Sequence, residues 1–309
     1  MTLSALELRK YLPLAAGLTI LSVIIVLAPW EQIDDLLEEM HPSAFVVLAC
    51  LSLTYFLSKS IRFWYILRLL GIRAPLSTVT LLYFAGQPFS FLPAGEFYRA
   101  VLLEKYLKIR LSRAAPSVTI QGLVEAIILL GLSLVGAFMI GQNRLAVASI
   151  ALVLGGLIVA LRKGWLVESH RFINKLPFVK IREEKYRHFI RSHQQLTSPG
   201  PLTLLSALSL VPVLAGIGIV FVSADAIGSH LGAVGAVISY CVPVVVSGLS
   251  FLPGGLGVGD GGMIGFLHLF GISTAAAVTI TLLMRIFTLA AGVLYGLVAQ
   301  AVVRWRYDQ

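Results

Sequence analysis

Long charge-free apolar runs alternate with short polar connections along the whole chain, the pattern of helices that cross a bilayer rather than of amphipathic helices on a soluble core. A hydrocarbon core of about 30 Å takes roughly 20 apolar residues as helix. Six runs read as complete spans, 11–30, 42–61, 114–140, 144–161, 200–224 and 274–303. The first follows Arg9 and Lys10 as a signal peptide would, but it ends Ala28, Pro29, Trp30 without a small-residue cleavage site and reads as an anchor. Two further apolar stretches, 75–108 and 231–271, are interrupted, one by Pro88, Pro93 and Gly95 and the other by Pro243, Pro253 and a glycine cluster. The first also carries Glu96, Arg99 and Glu104, which lipid would not tolerate on an exposed helix, so it reads as a re-entrant hairpin.

Composition agrees with that reading. The 309 residues are 58% hydrophobic and 13% charged, against about 45–50% and 25% for a soluble domain, and mean hydropathy is +0.90. A net charge of +9 in so apolar a chain fits cytoplasmic loops facing anionic lipid better than nucleic acid, which is not expected as a partner. Among Lys and Arg, only Arg144 and Arg285 fall outside the segments assigned to the cytoplasm, whereas Glu31, Asp34, Asp35, Glu38 and Glu39 follow the first span; both termini are therefore expected in the cytoplasm. Residues 162–199 mix bases with aromatic and aliphatic positions and read as an amphipathic segment on the membrane surface.

The hairpins share a motif. Ser90-Phe91-Leu92-Pro93-Ala94-Gly95 recurs as Ser250-Phe251-Leu252-Pro253-Gly254-Gly255, an offset of 160, and Val118-Thr119-Ile120 recurs as Val278-Thr279-Ile280 in the same register. Duplication explains two matches in one register, with units of roughly 42–140 and 200–304. Three spans separate the hairpins, so the second enters from the opposite face. The expected fold class is an all-α polytopic integral membrane protein in one domain over 1–309, with about six spanning helices and two re-entrant helical hairpins arranged as an inverted repeat. Paired Gly/Pro-interrupted segments in two halves point to a substrate site near the midplane, where broken helices offer unpaired backbone groups. Pro93, Gly95, Pro253, Gly254, Gly255 and Gly257 are the hairpin backbone positions concerned.

The register also aligns Glu125 with Arg285, and Gln121 with Thr281 one turn earlier. A charge in mid-span needs a partner or a task. Two readings stand: an ion pair between Glu125 and Arg285 that holds the halves together, or a gate that exchanges the pair for a ligand. Asp260, within the glycine run 254–262, is either a helix cap or a coupling and substrate residue. That run lacks the Lys-Ser/Thr ending of a nucleotide-binding loop. Glu96 and Arg99, three apart, pair locally or face a polar head group together. Lys59 and Arg62, beside Phe63, Trp64 and Tyr65, read as a snorkelling anchor at the end of the second span or as a phosphate-binding entrance. Cys50 and Cys241 read as small core residues rather than as a disulfide or metal site. The six histidines lack metal-site spacing, the acidic cluster Asp34 to Glu39 stands alone, and no nucleophilic serine motif is present. Neither an enzyme nor a cofactor is expected.

The stretch Pro88 to Leu103, with Leu92-Pro93-Ala94-Gly95-Glu96 and Arg99, and the stretch Leu252 to Val258 followed by Asp260, resemble the transmembrane flippase region of lysylphosphatidylglycerol synthases. Arg285 fits the same pattern. This chain departs from it at Asp260, where many members have Glu, and at Glu125-Ala126, where many have an acid followed by Arg. The resemblance implies a free-standing member without the synthase domain, in a prokaryotic plasma membrane. It also implies a lipid translocase acting on an anionic or aminoacylated phospholipid or a polyprenyl-linked lipid. The alternative is a scaffold subunit that presents such a lipid to a separate lipid-modifying enzyme. Glu96, Arg99, Gln121, Glu125, Asp260, Thr281 and Arg285 are the expected substrate-binding or gating residues, with Glu125 and Asp260 the carboxylates for proton coupling and Lys59 and Arg62 the entrance candidates.

Overall fold

The computed structural model describes residues 22, 24, 26–90, 95–140, 191, 194–249 and 253–307. Most of the expected span 11–30, all of 144–161, nearly all of the segment 162–199, and Pro93 lie outside them. Among the described residues the regular structure is all helical. A short amphipathic helix α1 (Trp30–Glu38) comes first; its Ile33 is buried with Val278 while Glu31, Asp34, Asp35 and Glu38 face outward, so the acidic cluster is a solvated face.

Helix α2 (Pro42–Leu69) starts on Pro42, whose missing N–H costs nothing in a first turn, and His41 caps it by accepting from the Ser43 N–H at 3.2 Å. It stops at Gly71, where φ is +72° and the Ile72 N–H reaches back to the Leu67 carbonyl. The 28 residues span about 42 Å, well beyond the bilayer core. The expected end at residue 61 is therefore corrected: the turns after Arg62 are apolar and continue the helix to Leu69, so Lys59 and Arg62 lie inside the helix rather than at its end.

The first hairpin follows as α3 (Leu76–Ala85), a tight turn at 87–89, and α4 (Tyr98–Leu107). Helix α5 (Leu111–Met139) then crosses. In the second half α6 (Pro199–Ala226) is followed by α7 (Ala233–Leu249), a turn at Pro253–Gly255 and α8 (Val258–Leu269). Helix α9 (Thr274–Arg285), capped by Ser273, runs through a π turn at Ile286–Ala290 into α10 (Ala291–Tyr307). Among the described residues, four segments are long and apolar enough to cross a membrane: Pro42–Leu69, Arg113–Met139, Pro199–Ala226 and Thr274–Tyr307. Their outer faces carry exposed Val46, Leu53, Leu214, Leu294 and Val298, which suits lipid and not water. Cys50 belongs to this outer face, a correction to its expected core position; Cys241 is buried.

Each half thus runs long helix, short helix, break, short helix, long helix. The halves interlock: α6 packs along α2, the C-terminal α10 packs on α3 of the first hairpin, and α5 packs on α7 of the second. Gly296 permits the second of these crossings, because a Cβ there would collide with Pro88 Cδ and meet the Phe84 carbonyl oxygen at 2.8 Å. The Gln300 amide donates across the same contact to the Ala85 carbonyl at 2.9 Å. Two apolar clusters fill the interior, one built mainly from α6 to α9 and one mainly from α2 to α5. The charged groups lie between them.

Candidate functional site

A cavity of about 850 Å³ opens between the two hairpins. Its wall holds Lys59 and Arg62 from α2, Glu96 and Arg99 from the first hairpin, Gln121 and Glu125 from α5, Asp260 from α8, and Thr281 and Arg285 from α9. Gly95, Gly254 and Gly255 line it as well, whereas Gly257 sits behind it as the residue preceding α8. Segments far apart in sequence are brought together because each helix break ends in the middle of the bundle.

Glu125 is shared by two cations of α2. One carboxylate oxygen takes Lys59 Nζ at 2.8 Å and the other takes an Arg62 Nη at 2.7 Å. Arg62 is almost completely buried, and its other Nη donates to Ser209 Oγ on α6 at 2.7 Å. Lys59 also donates to the Tyr55 hydroxyl at 2.6 Å. The cluster therefore ties α2, α5 and α6 together. Lys59 and Arg62 stand nearly one turn apart on a helix that extends past them, so they face α5 and not the head groups; the reading of a snorkelling anchor is corrected accordingly. An aromatic run after Arg62 resembles an interfacial belt, but Phe63, Ile66 and Leu67 are buried, and this apolar continuation is the signal that sequence reasoning missed. Ser209, Tyr55, Tyr83 and Gln87 were also missed, being unremarkable residue types in apolar runs.

The ion pair expected between Glu125 and Arg285 is not formed, because each has a nearer partner. Arg285 Nε donates to Asp260 Oδ1 at 2.5 Å, and its two Nη atoms donate to the Gly254 and Gly255 carbonyls at 3.0 and 3.4 Å. Asp260 Oδ2 accepts from the Gly257 N–H at 2.9 Å, so the carboxylate caps the start of α8 while it holds Arg285. Positive φ values at Gly254, Gly255 and Gly257 make this turn possible, and a Cβ on Gly255 would fall onto Ser247 Oγ. The arginine thus staples an irregular turn whose carbonyls would otherwise lack partners at membrane depth.

The first hairpin is tied less tightly. Arg99, 4% exposed, lies 4.2 Å from the Tyr83 ring centre and contacts Gln87 Oε1 at 3.5 Å. Glu96 approaches it only to 4.0 Å and is half exposed, so local pairing is loose. Gln121 is buried in the cavity wall, and Thr281 donates to its own helix at the Ala277 carbonyl.

A helical bundle with broken hairpins meeting at a charged interior cavity defines a polytopic membrane protein with an internal polar site. The chain belongs to the lysylphosphatidylglycerol synthase transmembrane-region family, whose model matches residues 14–296. The family is the flippase-like, non-catalytic part of such synthases and places the chain among membrane proteins with lipid-related functions. Comparison with curated proteins finds no match.

Proposed function

We propose that this protein is a lipid translocase that moves a phospholipid with a charged head group, or a polyprenyl-linked lipid, between leaflets. One observation carries the reading: both broken hairpins end in a single cavity of about 850 Å³ whose wall mixes basic, acidic and amide side chains. Charged groups at that depth are costly unless they serve a polar ligand or a water-filled path. The head group moves among them while the acyl chains stay in the bilayer along the apolar exterior. The two halves act as inverted repeats whose relative rocking exposes the cavity to one leaflet and then the other. The protein works by binding and release in a plasma membrane, with both termini in the cytoplasm.

Reconstitution tests this. Proteoliposomes carrying a fluorescent phosphatidylglycerol are treated with a membrane-impermeant quencher, and a translocase makes the inner-leaflet probe accessible faster than in protein-free vesicles. Equal rates for this lipid, for aminoacylated phosphatidylglycerol and for a polyprenyl phosphate, with and without protein, would contradict the reading.

A further inference from the structure

Hydrogen-bond accounting separates the two hairpins. In the second, every nitrogen of the Arg285 guanidinium has an acceptor. In the first, Arg99 Nε, Gln87 Nε2 and the Tyr83 hydroxyl are buried without partners, and so is Gln121 Nε2 on the facing α5. All four residues are at least 96% buried by residue and line the same cavity. A buried donor left without a partner forfeits its hydration with nothing in return, so such a concentration calls for a ligand. The missing partner must accept from a guanidinium, two amide groups and a phenol that come from different segments of the bundle. A cation is repelled by Arg99. A carboxylate offers two oxygens in one plane, whereas a phosphate offers several around a tetrahedron and suits donors converging from several directions. Charge agrees: the ionised side chains of the cavity wall leave one positive charge in excess, with the acids Glu125 and Asp260 already engaged by Lys59, Arg62 and Arg285.

We infer that Gln87, Arg99 and Gln121, with the Tyr83 hydroxyl, form a phosphate subsite in the first hairpin, and that Arg285 serves the turn and not the ligand. The inference rests on the translocase reading, to which it adds the ligand's chemical class.

Full-length protein purified in detergent is titrated with dioctanoylphosphatidylglycerol, with dioctanoylglycerol and with sodium phosphate. The phosphodiester lipid is expected to bind saturably and the phosphate-free lipid not to. Arg99→Gln weakens binding at least tenfold, and Gln87→Leu and Gln121→Leu each weaken it threefold or more. Because Gln121→Leu removes an amide whose buried nitrogen is unpaired, that variant keeps or raises the melting temperature without lipid, which a structural hydrogen bond would not allow, whereas Gln87→Leu also removes the oxygen that Arg99 contacts and is read by its lipid affinity alone. The two leucine variants also decide the question should Arg99→Gln fail to fold. Sodium phosphate that competes with Arg99 dependence assigns the subsite to free phosphate chemistry; competition by lipid alone assigns it to a head group. Wild-type affinity in both leucine variants, or equal binding of dioctanoylglycerol, overturns the subsite. Intact, glutamine-dependent binding without translocation in proteoliposomes overturns the translocase and leaves the subsite standing; translocation without such binding does the reverse.

Discussion

Arg62 and Glu125 stand 63 positions apart in the chain and 2.7 Å apart in the bundle. Their contact, shared with Lys59, joins the helix that opens the first half to the helix that closes it. Arg285, which occupies the register position of Glu125 in the second half, is engaged 25 positions upstream by Asp260. The two halves therefore pair these mid-span charges separately, and the interface between them is joined by packing, by the cavity and by the Arg62–Ser209 and Gln300–Ala85 hydrogen bonds.

Removing the shared acid should cost more than removing an ordinary ion pair. Glu125→Gln leaves Lys59 and Arg62 facing each other without an anion, and loss of one partner of a buried pair costs about 3–5 kcal/mol. Thermal unfolding in detergent should show a clear drop in melting temperature for this variant. Part of it should return in Glu125→Gln with Arg62→Met, since the second change removes a buried uncompensated cation. A double variant worse than the sum of the singles would show that the cluster is not the source of the loss.

Asp260 and Arg285 should behave as one unit. Asp260→Asn removes the anion that holds the guanidinium, and Arg285→Gln removes the donors to the Gly254 and Gly255 carbonyls. Stability of the two single variants and the double variant should be strongly non-additive, with an interaction energy on the order of 0.5–3 kcal/mol. Additive losses would mean that the two side chains do not share a structural task.

Glycine substitutions discriminate the turn from the helices. Gly255→Ala combines a positive φ with a collision at Ser247, so its melting temperature should fall, by an amount equivalent to at least about 1 kcal/mol. Gly131→Ala in α5 meets nothing within 4 Å and should leave stability unchanged or raise it, as Ala is favoured over Gly inside a helix. Comparable losses at both positions would contradict the packing described at the turn.

Gly296 tests the interlock between halves. Gly296→Ala pushes α10 away from the Pro88 ring and the Phe84 carbonyl, contacts between backbone and ring atoms that cannot rotate aside. Faster hydrogen exchange in α3 and in the α10 segment is the expected readout, with little change in α8. Unaltered exchange in α3 would show that the crossing tolerates a wider spacing.

Sequence pattern made the spanning helices and both hairpins legible because apolar length and Pro/Gly breaks act locally. Pro88 and Pro253 mark turns wherever they occur, and the recurrence of Pro93 as Pro253 at an offset of 160 pointed to two matching units. The charged residues of the cavity were legible for the same reason: Glu125, Asp260 and Arg285 stand out in lipid-compatible runs. Their partners were not. Glu125 and Arg285 are related by the register of the repeat, yet sharing a register places residues on equivalent faces, not in contact. The choice of Lys59 and Arg62 by Glu125 depends on how α2 leans on α5 and α6, a tertiary fact that no local pattern carries. Gln87 and Tyr83 escaped notice because neutral polar residues near a break look like ordinary turn and core positions until their burial is seen.

The most direct test of the account is transbilayer lipid movement with the cavity filled. Ala126 lines the cavity, and Ala126→Trp places a large apolar side chain there without touching a charged group's chemistry. Proteoliposomes of the wild type should equilibrate a fluorescent phospholipid between leaflets faster than protein-free vesicles, and Ala126→Trp, folded and incorporated equally, should fall to the protein-free rate. A filled cavity that leaves the wild-type rate intact would contradict the claim that lipid head groups pass through it.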